Sequence, residues 1–464
     1  MRQVPVFLVF LLLFSTLVAQ QHKNVFLLDN WTTDTLMTHG FDEISFNETW
    51  GFVKDGEEYA VIGSTEGTHF FHITEDDKLE PVDFVRGKFS SPQVVHRDFH
   101  DYGGYLYAVC DEGSSSLQII DLQYLPDSVH VAAEDSIQFG RIHNIFIDSS
   151  SALLYVCKLT PLISNPTFSF TSMKVFSLAD PLNPVEVFGG FEHIGEVHDA
   201  YVINDTAYLN CGYDGLHIYD FSHPSTPVLL GSMTIYQDQG YNHSGWLSPD
   251  RKYYYFVDET EGKRIKKVNV EDIANPTIVG IFGSNFTQGS IPHNVMATDK
   301  LIFVSYYNEG FRVYDTRFKP PKEVAYYDTY PSDEGLAMTG AWGVYSLLPS
   351  KRILVSDMKN GLFLFRFEQE VFEVPPSSVP FSVFPNPAAS GSEVIFRFYE
   401  DNISKIKFYL YNNLGQLIYS ESNEFNDYWK IRLDYAAGSY NYIVYYENYL
   451  GEETLRQGHL ILHD

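Results

Sequence analysis

Five histidines recur along this 464-residue chain, at His96, His143, His198, His243 and His293, and Trp50 and Trp342 extend the series at either end. Successive intervals are 46, 47, 55, 45, 50 and 49 residues. Imidazoles gathered at one register could do three kinds of work. As neutral ligands they could hold a divalent metal ion, three of them leaving an open position for water and hence for hydrolase or lyase chemistry. They could act as acid/base groups beside the nearby carboxylates Asp98, Glu196 and Asp199. Or they could be structural, hydrogen-bonding between neighbouring elements where water remains. All seven positions are expected to line one channel, with Trp50 and Trp342 filling the two places that lack histidine. His100 falls outside the spacing and is expected at the surface.

A second marker keeps the same register and shows what must position these residues. The segment LHIYD at 216–220 has counterparts in THFFH at 68, LQIID at 117, MKVFS at 173, IKKVN at 265, FRVYD at 311 and LFLFR at 362, making seven copies. Each unit supplies about four short segments rich in Val, Ile, Tyr and Phe, bounded by Gly, Asp, Asn and Pro, which read as strands. A single twisted four-stranded sheet cannot bury both faces alone, so repeats of this period stack around an axis. The expected fold class is therefore all-β: a seven-bladed β-propeller whose first strands line the central channel, followed by a small C-terminal β-sandwich. The seventh unit lacks a fourth strand after LFLFRFE. Residues 24–29, NVFLLD, resemble the outer strands NPTIVG and TPVLLG and are expected to complete the last sheet, leaving no open edge.

The formal net charge is −29, from 31 basic and 60 acidic residues, which excludes nucleic acid and an anionic membrane surface as partners. Cys110, Cys157 and Cys211 fall in equivalent strands of consecutive units and read as small buried hydrophobes with no disulfide between them. There is no GxSxG elbow, phosphate-binding glycine loop or HExxH. The acidic stretches DETEG at 258 and EDDKLE at 75 read as solvated turns. Tyr306 and Tyr307 read as exposed rings able to stack on sugars.

The chain divides into an N-terminal signal peptide over 1–19 (Arg2, then an apolar run to Val18), the propeller over 20–371, a Pro/Ser linker over 372–379 and the sandwich over 380–464. No later segment reads as a membrane-crossing helix, so no stable membrane span is expected in the mature chain.

The units with LQIID, LHIYD and FRVYD, each followed by a proline turn and a strand ending in Gly, resemble LVIVD-repeat proteins. The opening ETWGFVKDGEEYAVIGSTEGTHFFHI, with HRDF and RIHNIFID, resembles the bacterial choice-of-anchor B group over about residues 45–368. That resemblance implies an exported or surface propeller and assigns no catalytic residue. The closing Asp of the repeat is replaced by His72, Ser177, Asn269 and Arg366 in four units, so no role can require it in every blade. Residues 380–464 resemble the type A sorting domain of the type IX secretion system, through FPNP at 384–387, LYNNLGQLIY and AAGSYNYIV. This implies export through the type IX machinery to the outside or the outer-membrane surface of a Gram-negative, Bacteroidetes-type bacterium. The expected function is non-catalytic: a binding or scaffold propeller that engages a protein, glycan or small ligand at one face. The alternative is a metal-dependent hydrolase or lyase working at the histidines with a divalent metal as cofactor.

Overall fold

The computed structural model describes residues 22–40, 43–161, 170–284, 289–331, 338–368, 381–398, 403–424, 428–448 and 453–463. The expected signal peptide and linker lie outside them. Among the described residues every regular element is a β-strand, and none forms a helix long and apolar enough to cross a membrane.

Glycine and Asx turns break the sequence into strands, and the strands pair with their immediate neighbours. The first sheet takes Phe46–Lys54, Glu57–Ser64, Gly67–Ile73 and Leu79–Arg86 in chain order. Equivalent antiparallel sheets begin at Arg97, Asn144, Asp199, Asn242 and Val295, and a last one at Ala341, so seven successive sheets are built from the described residues up to 368. Their first strands touch in cyclic order, and Ala341–Tyr345 of the seventh sheet returns to Phe46–Lys54 of the first. These strands therefore surround a common axis.

Ring closure follows the pattern expected from the missing strand. Val25–Trp31 pairs antiparallel with Gly361–Phe367, Val25 opposite Phe367 and Trp31 opposite Leu362. Just before it, His22–Lys23 pairs with the outer strand of the sixth sheet, Lys322–Tyr327. Asn24 makes the step between the two sheets at φ 53°, its Nδ2 donating to the Val324 carbonyl at 2.9 Å. Gly361 has φ +84°, and a Cβ there would stand 2.1 Å from the Trp31 carbonyl. Only glycine lets the N-terminal strand come this close.

Apolar side chains fill the space between neighbouring sheets. Phe303, Phe311 and Val313 of the sixth pack on Val344, Val355 and Phe365 of the seventh, and Val25 joins them from the N-terminal strand. Each such side chain contributes about 1.5–3 kcal/mol when fully buried. The three cysteines are free and buried, as expected of small hydrophobes. Beyond residue 380, Phe381–Phe384, Glu393–Phe398 and Tyr428–Arg432 form a three-stranded sheet. A five-stranded sheet, centred on Ile403–Tyr411 and Gly438–Asn448, faces it across one shared core. Phe396 of the smaller sheet meets Phe408 of the larger at 4.8 Å between ring centroids.

Candidate functional site

The first strand of each sheet runs beside the axis, so residues at matching positions form levels along the channel. At the upper level the imidazoles meet in succession. Ring centroids are 4.8 Å apart for His96 and His143, 4.3 Å for His143 and His198, 4.2 Å for His198 and His243, and 4.4 Å for His243 and His293. Trp342 closes the circle, 4.3 Å from His293 and 5.1 Å from His96. The structure thus brings together all five predicted histidines and one of the two tryptophans.

Trp50 is not in that circle. It lies one level lower, 4.6 Å from His100 and 4.8 Å from Tyr345, with its Nε1 donating to Asp101 at 2.8 Å. The same level continues through Phe146, Tyr201 and Trp246. Five of the upper-level residues are followed three positions later by a member of the lower level, as in His143 and Phe146, His293 and Met296, or Trp342 and Tyr345. Counting back three from Trp50 reaches Asn47, which is wholly buried and lies so close to Gly63 that a Cβ there would stand 2.0 Å from its Oδ1. A pairing irregularity between Phe46 and Thr49 accompanies this departure, and the first sheet supplies no ring to the upper circle. His100 is likewise not a surface residue: it is buried and belongs to the lower level, because the first strand of the second sheet takes four steps from His96 rather than three.

Between the two levels lie polar groups at matching positions, among them Glu48, Asp98, Asn144, Asp199, Ser244 and Asn294. Backbone amides serve the carboxyl groups: Thr49 donates to Glu48 at 2.9 Å, Ile145 to Asp98 at 2.7 Å and Ala200 to Asp199 at 2.7 Å. Asn294 Nδ2 donates to Glu48 Oε2 at 2.7 Å. The space enclosed is small. A cavity of about 60 Å³ lies between the polar and lower levels, and one of about 20 Å³ between the imidazoles and the polar level.

Burial sets the charge of every level. It drives the His243 imidazole down to about 3, and His198 and His293 well below the usual histidine value, in each case reinforced by a neighbouring imidazole. His143 is also lowered by burial, against the opposing hydrogen bond it donates to Asp111 at 2.9 Å. The carboxyl groups move the other way. Burial raises Asp98 to about 7, and raises Glu48 and Asp199 well above the usual carboxylate range, with Asp98 adding to both. At neutral pH the imidazoles of His143, His198, His243 and His293 carry lone pairs instead of charge.

The upper side of the circle is edged with carboxylates. Glu112 accepts from His96 Nδ1 at 2.7 Å, Glu196 accepts from the Tyr241 hydroxyl at 2.7 Å, and Glu259 accepts from the Tyr307 hydroxyl. Lys158 pairs with Glu196 at 2.9 Å. Two sequence expectations fail here. The DETEG stretch is a solvated turn only at Glu261 and Gly262, which are exposed: Asp258 is fully buried against Lys266 at 2.8 Å, and Glu259 reaches His243, with Oε2 3.7 Å from Nε2. Tyr306 and Tyr307 are buried, not exposed, and Tyr307 packs against His293 at 4.8 Å. Asp98 and Asp199, expected beside the histidines, belong to the polar level beneath them.

Comparison with solved structures agrees with the ring of sheets. The chain is similar to the crystal structure of the RRP9 WD40 repeats, at a TM-score of 0.52 and 10% sequence identity, over 75% of this chain and 100% of that one. It is also similar to the structure of U3-55K, at a TM-score of 0.50 and 9% identity, over 74% and 98% of the two chains. The fold is a β-propeller. No protein-family model and no curated protein matches the chain. At such identities the likeness speaks for architecture alone, and the residues of the propeller channel carry the functional argument.

Proposed function

We propose that this protein is an exported, non-catalytic propeller of seven blades that binds a protein or glycan partner at the imidazole-bearing face, with the C-terminal pair of sheets acting as its secretion signal. The observation that carries the binding role is the size of the channel. Sites that enclose an organic ligand measure roughly 300–1,000 Å³, whereas the larger channel cavity is about 60 Å³, enough for water-sized groups or a single ion. A macromolecular partner must therefore be met at a face of the ring, where loops from all sheets converge on a rigid frame.

Support for seven blades comes from the seven successive sheets and the cyclic contact of their first strands. Support for export comes from the apolar leader and from the resemblance of FPNP, LYNNLGQLIY and AAGSYNYIV to type IX sorting domains. The shared core of the last two sheets agrees with a β-sandwich that folds as one unit.

Two measurements test this. Expressed in a Bacteroidetes-type host, the full chain is expected at the cell surface or in the medium, and a chain lacking residues 380–464 is expected to remain periplasmic. Equal surface display of the truncated chain would defeat the secretion reading. Glycan and protein-binding screens with the purified full chain are expected to give a partner whose affinity falls when Tyr213, 76% exposed and packed on Tyr241 above the circle, is replaced by Ala. A partner insensitive to this change and to substitution of Glu112 and Glu196 would move binding to another face.

A further inference from the structure

We propose that His198, His243 and Glu259 together bind one zinc-class divalent cation at the upper edge of the imidazole circle. The inference goes beyond partner binding at this face and does not depend on which protein or glycan is recognised there.

Three observations point to it. Ligand atoms from the three residues all lie within 4.8 Å of one another. Nε2 of His243 and Oε2 of Glu259 are 3.7 Å apart, too far for a hydrogen bond. Two donors each about 2.1 Å from a tetrahedral ion are themselves separated by about 3.4 Å. The pair is therefore spaced for sharing a cation, and only a small side-chain adjustment is needed.

The second observation is an orphaned imidazole nitrogen. His198 is 4% exposed, and its Nδ1 is buried with no hydrogen-bond partner among the described residues. A buried polar atom left unpaired costs about 1–3 kcal/mol. The other members of the circle show how this cost is ordinarily avoided: Nδ1 of His96 bonds Glu112, that of His143 bonds Asp111, and that of His293 bonds the Trp342 carbonyl at 2.7 Å. His198 and His243 both keep an unpaired Nδ1, but His243 turns its Nε2 to Glu259, so the ion would relieve the orphaned nitrogen of His198 alone. They are also the adjacent pair with the closest rings, at 4.2 Å.

Support around Glu259 is the third. Its Oε1 is held by the Tyr307 hydroxyl, which fixes the carboxylate and leaves Oε2 turned towards His243. Outer contacts of this kind orient metal-ligating groups. Two imidazoles and one carboxylate are a donor set that suits zinc and its first-row neighbours, with a fourth position left for water or an incoming group.

The test uses the full-length protein, stripped with chelator and then titrated with Co²⁺ or Zn²⁺ alone. One tightly held equivalent is expected, with the intense visible absorption of four-coordinate cobalt. Glu259→Gln, nearly isosteric, is expected to weaken binding 100-fold or more, and His198→Ala to do the same. His96→Ala, in the same circle but outside the trio, is expected to keep the ion. Thermal melts of the stripped variants establish that each is folded. The proposal fails if folded wild-type protein takes up no stoichiometric ion at micromolar free metal. It also fails if Glu259→Gln binds as tightly as wild type, or if His96→Ala loses the ion as completely as His198→Ala. Should His198→Ala not fold, Glu259→Gln and the wild-type cobalt spectrum decide.

Discussion

The imidazole circle and the carboxyl level beneath it sit on the same strands, often on consecutive residues such as His198 and Asp199, yet burial acts on them in opposite directions. It removes protons from the first and keeps them on the second, because desolvation penalises whichever form is charged. A chain with a formal charge of −29 thereby encloses a channel in which His198, His243 and His293, and Glu48 and Asp199 beneath them, are neutral at neutral pH. The two levels are left with complementary equipment. The imidazole circle offers nitrogen lone pairs, and the polar level offers carboxyl groups that can donate as well as accept.

The largest effect is expected from a fixed positive charge placed in either level. An ammonium at His198→Lys would be buried among imidazoles and should destabilise the metal-free protein by about 3–5 kcal/mol. At the next residue, Asp199→Lys puts the same charge near Asp98 and Glu48, which can ionise to meet it, so the loss should be clearly smaller. Denaturant unfolding of the two variants makes the comparison, and equal losses would mean that the levels do not differ in this way.

Proton linkage gives the next effect, with opposite signs in the two levels. His243 has a folded value of about 3 against 6.5 unfolded. As pH falls below 6.5 the unfolded chain takes up a proton that the folded chain refuses, so stability is lost down to about pH 3. Asp98 has a folded value of about 7 against 3.8 unfolded. As pH rises above 3.8 the unfolded chain releases a proton that the folded chain keeps, so stability is lost up to about pH 7. Each contribution is on the order of a few kcal/mol, at about 1.4 kcal/mol per unit. They offset one another between pH 3.8 and 6.5. In chelator-treated protein, Asp98→Asn should therefore make stability rise more steeply with pH across that window, and His243→Asn should make it fall. Parallel profiles for both variants and wild type would remove the contrast.

How much of this could be read in the sequence depends on what carried the signal. The seven-fold repeat was legible because each unit must bury two faces against its neighbours, which forces Val, Ile, Tyr and Phe to recur in step. The closing strand was legible for the same reason: the unit ending in LFLFRFE lacked a partner, and Val25–Trp31 matched it. Trp50 was misplaced because residue type was matched where backbone position decides, and the pairing irregularity at Phe46 to Thr49 moves the first sheet out of step. His100 was missed because one extra residue separates it from His96. Glu259 did carry a periodic signal that the spacing of the histidines alone leaves unread: an acidic residue stands 16 positions after His96, His198, His243 and His293, as Glu112, Asp214, Glu259 and Glu309. Glu259 follows the strand Tyr253–Asp258 in a run of acidic residues, and only the fold reveals that Asp258 turns to Lys266 while Glu259 turns to His243.

The smallest expected effect tests that correction directly. Trp50→Phe removes the hydrogen bond from Nε1 to Asp101 and should cost about 1 kcal/mol. Trp50 has its ring contacts in the lower level, so the imidazole ¹⁵N resonances of His96 and His293 should stay where they are, while those of His100 shift. Trp342→Phe should do the reverse, shifting His96 and His293, the two rings it touches, and leaving His100 unmoved. If Trp50→Phe displaced the His96 and His293 signals as strongly as Trp342→Phe, both tryptophans would share one circle. The separation between an imidazole level and an aromatic level would then have to be abandoned.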